Sequence, residues 1–286
     1  MKQTSEVSRY SINAGLFKNY LNLLSAAVVI LLGLSLWLGL GKSLPKKKSE
    51  LTRLLDVLNN GSAKEKIESI DRLAAMGSDA REALPQLVNF AVNQKYNRDR
   101  IPDSKLTRAI EKIDLDATIL LLEEKLFSDD TKWIAASLIE KYSQHSVANE
   151  VVPSLVKGMR EIVHAQTQSE QLACFQCADA LGRIEPKGVL TLKREMFHPQ
   201  ESVRIAAVRG VPSGKAGKTF VLRLTLRLFD SSLTVRSLTV ESLSNIGRYA
   251  TDALTALKQR LSMERDPIIR RNIIRTIKKI SAQHPT

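Results

Sequence analysis

Two patterns of apolar and polar positions divide the chain. From Asn19 to Gly41 there are 23 residues without a formal charge, bounded by Lys18 and Lys42, and apolar side chains cover every face of a helical wheel. Beyond residue 50 the apolar positions recur near i, i+4 and i+8, the stripe of an amphipathic helix. No apolar–polar alternation bounded by hairpin turns interrupts them, so the pattern predicts an all-α chain.

The uncharged run predicts a transmembrane helix over 19–41. Between Leu21 and Leu40 stand nine Leu, two Val and one Ile. At ~0.3–0.6 kcal/mol each, these twelve favour insertion by roughly 4–7 kcal/mol. About 20 residues rising about 1.5 Å each cross a hydrocarbon core of about 30 Å. Leu21, Leu31 and Leu40 mark the two ends and middle of the span, and Trp37 falls where an aromatic belt would hold it. A cleaved signal peptide is the competing reading, since Gly39 and Gly41 imitate a cleavage site. Against it, the run exceeds the usual ~7–15 apolar residues and follows a polar tail over 1–18. Lys42, Lys46, Lys47, Lys48 and Arg53 follow the span, whereas Lys2, Arg9 and Lys18 precede it, which places the C-terminal domain on the cytoplasmic side.

The rest of the chain is organised by a ruler of about 34 residues. The octamers AREALPQL (Ala80 to Leu87), ANEVVPSL (Ala148 to Leu155) and ATDALTAL (Ala250 to Leu257) start 68 and 102 residues apart, two and three times 34. Adding 34 to Ala80 lands on Asp114, where DLDATILL keeps Asp116, Ala117 and Leu121 in register. A second series runs through Ala173, Val203, Val235 and Ile269, the last three followed by Arg204, Arg236 and Arg270. Eight residues further on, Leu181, Val211, Leu243 and Ile277 supply another apolar contact. The repeating unit is therefore helix, short turn, helix. Gly61, Gly77 and the pairs Asp230–Ser231 and Asp266–Pro267 punctuate it as caps and stops. Pro85 and Pro153 fall in first turns of second helices, where a missing N–H loses little.

VRIAAV at Val203, CADALGRI at Cys177 and SLTVRSLTVESLSNIG at Ser232 resemble HEAT repeats, most closely the short bacterial form also found in phycobilin lyases. The resemblance covers about 50–282, with 93–130 departing from it and NQKYNRDRIPDS (Asn93 to Ser104) looking like an inserted loop. It implies an α-solenoid of about six to seven helix pairs, behind a basic linker over 42–49 and before a short tail over 283–286, with a binding role by analogy. The same resemblance leaves open a bilin-lyase-like or other modifying activity on a bound client.

The net charge of +13 is unevenly spread: residues 198–286 carry 16 Lys/Arg against six acidic residues. Arg223, Arg227, Arg271, Arg275, Lys278 and Lys279 are the candidate binding surface there, for an acidic protein, an anionic lipid or nucleic acid. Only 5% aromatic residues argues against a stacking platform for single strands, and a membrane tether makes nucleic acid the least natural partner. PSGKAGKT (Pro212 to Thr219) imitates a phosphate loop, but Pro212 occupies the place of its first Gly and has no N–H to offer. It reads as a turn between two helices of one unit. Cys174 and Cys177 lie in a predicted helix without further ligands nearby, and His145, His164, His198 and His284 have no metal spacing. No catalytic residue, metal or cofactor is assigned. The expectation is a single-pass membrane scaffold that binds protein partners, one subunit or assembly factor of a membrane complex.

Overall fold

The computed structural model describes residues 44–93 and 103–282. The expected span 19–41, with Leu21, Leu31, Trp37 and Leu40, lies outside the described residues, as do the two tails and most of the inserted loop. Among the described residues no helix is long and apolar enough to cross a membrane.

The chain divides into two compact units, one ending at Leu73 and the other beginning at Ala74. The first holds α1 (Leu44–Asn60) and all but the last three residues of α2 (Ala63–Met76), joined at Gly61. A Cβ on Gly61 would stand 2.7 Å from the Val57 carbonyl oxygen. Leu51, Leu54 and Leu58 of α1 are buried, as are Ile70 and Leu73 of α2, and the Ser69 hydroxyl donates to the Leu54 carbonyl at 2.8 Å. Ser62 and Glu65 cap α2 reciprocally, the Ser62 N–H donating to Glu65 Oε2 at 2.8 Å. Helix α1 begins inside the segment expected as linker. Pro45 is its second residue, where proline needs no hydrogen-bond partner for its nitrogen.

The second unit contains α3 (Leu84–Asn93), α4 (Asp103–Lys125), α5 (Asp129–Lys141), α6 (Val152–Arg160), α7 (Gln168–Arg183), α8 (Lys187–Glu195), α9 (Glu201–Arg209), α10 (Val221–Arg227), α11 (Leu233–Ile246), α12 (Leu254–Met263) and α13 (Pro267–Ala282). The described residues are helical with short connections and include no strand. Helices α5, α7, α9, α11 and α13 pack one on the next, and each of α6, α8, α10 and α12 packs against the member of that series that follows it. The second-series positions explain this contact: Ala173, Val203, Val235 and Ile269 are all buried, with Leu181 and Leu243 buried eight residues on and Val211 and Ile277 packed against the same core.

The ruler also holds where the resemblance lapsed. Helix α4 is two helices merged across Asp114, whose extended backbone (φ −170°, ψ 101°) breaks the run. The Ala117 N–H donates to Asp114 Oδ1 at 2.9 Å and the Thr118 hydroxyl to the Asp114 carbonyl at 2.7 Å, so Asp114 caps the second half. The break falls where 34 added to Ala80 places it.

Each octamer marks a tight turn running into a second helix. Ala80, Ala83, Leu84 and Leu87 are buried, as are Ala148, Val151, Val152 and Leu155, while the acidic third residues Glu82, Glu150 and Asp252 are exposed. Gly77 and Gly247 stand three residues ahead of their octamers with φ of 55° and 62°. Gly214 repeats that conformation (φ 64°) three residues ahead of Gly217. The phosphate-loop lookalike is thus a further copy of the turn, with Phe220, Val221 and Leu224 buried in the octamer's apolar places. Gly217 replaces alanine because a Cβ there would lie 2.2 Å from the Pro212 carbonyl oxygen.

Candidate functional site

Assigning a site requires separating arginines that hold the fold from those that face outward. Arg204 grips Asp230 with two nitrogens, Nε to Oδ2 at 3.0 Å and Nη2 to Oδ1 at 2.9 Å. Its Nη1 donates to the carbonyls of His198 and Pro199. Arg236 repeats the pattern on Glu264 at 2.8 and 3.2 Å, and on the carbonyls of Asp230 and Ser231. Arg270 donates to the carbonyls of Leu261 and Glu264 at 2.6 and 2.8 Å. Each cation clamps the turn before its own helix, and in the first two cases also the carboxylate that ends its own unit. Lys132, buried beside Glu161, occupies the same place on α5, a rung the sequence reading missed because lysine stands where arginine was sought. Cys174 holds that place on α7, and there Glu195 turns to Arg160 at 2.8 Å.

Burial alone would raise the carboxyls of this ladder, but the bonds they accept prevail. Glu264 is pushed down to about 2 because Arg236, the Asp266 N–H and Arg260 together outweigh its desolvation. Asp230 is likewise lowered, with Arg204, the Ser232 N–H and Arg227 overcoming burial. Arg227 therefore belongs in part to the ladder, 2.8 Å from Asp230, with its guanidinium 4.1 Å from the centre of the Phe197 ring.

The remaining candidate residues separate into two places. Arg223 is exposed on α10, its guanidinium 5.4 Å from the Phe197 ring centre. Arg271, Arg275, Lys278 and Lys279 are exposed on α13, whose other face buries Ile269, Ile273, Thr276 and Ile280.

A polar cleft of about 320 Å³ opens across α5, α7, α9 and α11. Glu140 comes from α5, Asp179 and Arg183 from α7, Arg209 from the end of α9, and Glu241 and Ser242 from α11. The floor is tight because helix ends approach without side chains between them: a Cβ on Gly182 would stand 2.0 Å from the Gly210 carbonyl oxygen, and one on Gly210 would stand 2.4 Å from that of Ala178. Glu140 accepts from Gln176 Nε2 at 2.5 Å and pairs with Arg183 at 2.5 Å. Arg209 lies over the Phe175 ring at 4.5 Å. Burial, then the charge of Glu140, pushes the Asp179 carboxyl up from 3.8 to about 6, against the pull of Arg209 and Arg183. The cleft thus offers a carboxyl that titrates near neutrality, flanked by guanidinium groups. Such a set accepts or donates hydrogen bonds to a polar group of a bound molecule. The Ser242 hydroxyl is engaged with the Val208 carbonyl at 3.2 Å. Sequence reasoning quoted Asp179 within CADALGRI without marking it; its signal was an acidic residue between two alanines on a core helix.

Cys174 and Cys177 are buried and form no disulfide, and the Cys177 thiol is pushed up by burial and by Cys174. Among the described residues no group of three His, Cys, Asp or Glu could hold a metal ion. His145 and His198 lie in connections between helices and are half-buried; His145 Nδ1 is 3.3 Å from Asp116.

No family model matches the chain, and no curated protein matches it. Solved structures of engineered proteins from the Northeast Structural Genomics Consortium do. Three of them align at 14%, 18% and 16% identity, each over 81% of this chain and over 96%, 68% and 98% of their own. The TM-score of 0.36 in all three is too low to carry an argument about fold or activity.

Proposed function

We propose that this chain is a membrane-anchored α-solenoid of HEAT type, about six to seven helix pairs long, that holds a partner protein as a subunit or assembly factor of a membrane complex. The observation that carries the reading is the cleft across α5, α7, α9 and α11. It draws charged side chains from successive units, as a surface for an extended partner does, rather than concentrating them on one loop as most catalytic sites do. The 19–41 run supplies the anchor and the basic residues after it the cytoplasmic placement of the array.

Mild detergent extraction from native membranes, followed by co-purification, tests the binding role. A partner recovered with the wild type and lost with Asp179→Arg supports it, with circular dichroism confirming that the variant remains folded. A partner-free monomer from native membranes overturns it. Carbonate washing tests the anchor separately: an integral span keeps the chain in the membrane fraction.

A further inference from the structure

From α5 to α12 the charge differs between the two helix rows, while α13 adds five Lys/Arg and no acidic residue at the end of the row of α5, α7, α9 and α11. Helices α6, α8, α10 and α12 together carry nine Lys/Arg and a single acidic residue, Glu195, which is buried and paired with Arg160. Helices α5, α7, α9 and α11 carry six Lys/Arg and seven acidic residues. The basic row also leaves large apolar side chains in water: Leu222 is 73% exposed, Leu190 62% and Leu226 48%. Cation–ring contacts join α8 and α10. Lys193 of α8 lies 5.3 Å from the Phe220 ring at the start of α10, and Arg223 and Arg227 of α10 lie over Phe197 at the end of α8.

We propose that the α8–α10 face, through Leu190, Arg194, Phe197, Leu222, Arg223 and Leu226, seats on the surface of an anionic lipid bilayer. A phosphate backbone would answer the charge but not the exposed leucines. A lipid interface answers both, because apolar side chains enter the acyl boundary while Lys and Arg meet the headgroups. The choice of lipid rests on the membrane-anchored reading above. Seating this row on the leaflet directs the cleft-bearing row toward a protein partner.

The test uses the full chain with Leu222→Cys carrying an environment-sensitive fluorophore, native Cys174 and Cys177 being buried. Gln171→Cys on α7 is the control, and Leu226→Cys a second reporting site. The proteins are reconstituted in vesicles of phosphatidylcholine alone or mixed with phosphatidylglycerol. The expected result is a blue shift, with quenching by headgroup-level spin-labelled lipid, at 222 and 226 but not at 171. It should occur in the anionic vesicles only, and be lost in high salt and in the Arg194→Glu, Arg223→Glu double variant. Water-like emission at 222 and 226 in anionic vesicles overturns the proposal, as does an equal response at 171 or in neutral vesicles. Protection of 222 in native membranes but not in pure lipid assigns the face to a protein, and a shift on adding duplex DNA in detergent assigns it to nucleic acid; either overturns it too. Carbonate release with quenching retained sinks only the anchor, and carbonate resistance without quenching sinks only this face.

Discussion

At the scale of single residues, the ladder of Arg204, Arg236 and Arg270 does the work that a count of positive charge would credit to a binding surface. Arg236 is the central rung, forked onto a carboxylate that is almost wholly buried. Arg236→Ala strips the forked partner from Glu264 and leaves it Arg260 and two backbone N–H donors, and should cost about 2 kcal/mol in urea unfolding. Arg236→Lys should recover little of it, since an ammonium cannot form the fork. The two classes of carboxyl respond to pH with opposite sign. Glu264 titrates lower in the fold, at about 2, than in the unfolded chain, so its stabilisation is full above about 4.5 and is lost as pH falls toward 2. Asp179 titrates higher in the fold, at about 6, than its ordinary 3.8, so its ionisation costs stability as pH rises from about 4 to 6. Asp179→Asn should therefore raise the melting temperature at pH 8 and flatten its dependence between pH 4 and 6.

At the scale of elements, the 34-residue ruler located the turns better than the caps. The octamers are legible because their first, fourth, fifth and eighth residues pack into the core, and the selection recurs where α3, α6, α10 and α12 begin. The phosphate-loop lookalike hid one copy, because a close approach by Pro212 and Ile246 put glycine where the pattern has alanine. Restoring the pattern's own residue should do harm. Gly217→Ala drives a Cβ against a backbone oxygen at 2.2 Å and should cost about 2–3 kcal/mol in thermal unfolding. At Gly214 nothing lies within 4 Å, so Gly214→Ala should show only the backbone cost of its positive φ, about 1–2 kcal/mol. Asp230, read from sequence as turn punctuation, is mainly the carboxylate of a rung. Its partner Arg204 lies 26 residues away, a pairing no local spacing reveals.

At the scale of the whole molecule, charge reads from the sequence as a gradient along the chain, whereas folding also separates a basic row from a mixed one over α5 to α12, with α13 adding five cations at the end of the mixed row. A linear segment sum cannot show this, because α8 and α9 are adjacent in sequence and belong to different rows. Asp179 escaped for the same reason: its neighbours Glu140 and Arg209 come from α5 and α9. The ladder has one further consequence. Arg204, Arg236 and Arg270 tie turn to helix, Lys132 ties α5 to Glu161, and the place of Cys174 on α7 holds no cation. Bending of the series α5 to α13 should therefore start at α7, and slow deuterium uptake there should exceed that of α9 and α11. The cleft's titrating carboxyl rides on that same helix, so whatever grips it holds the molecule at its pivot and would act as a splint.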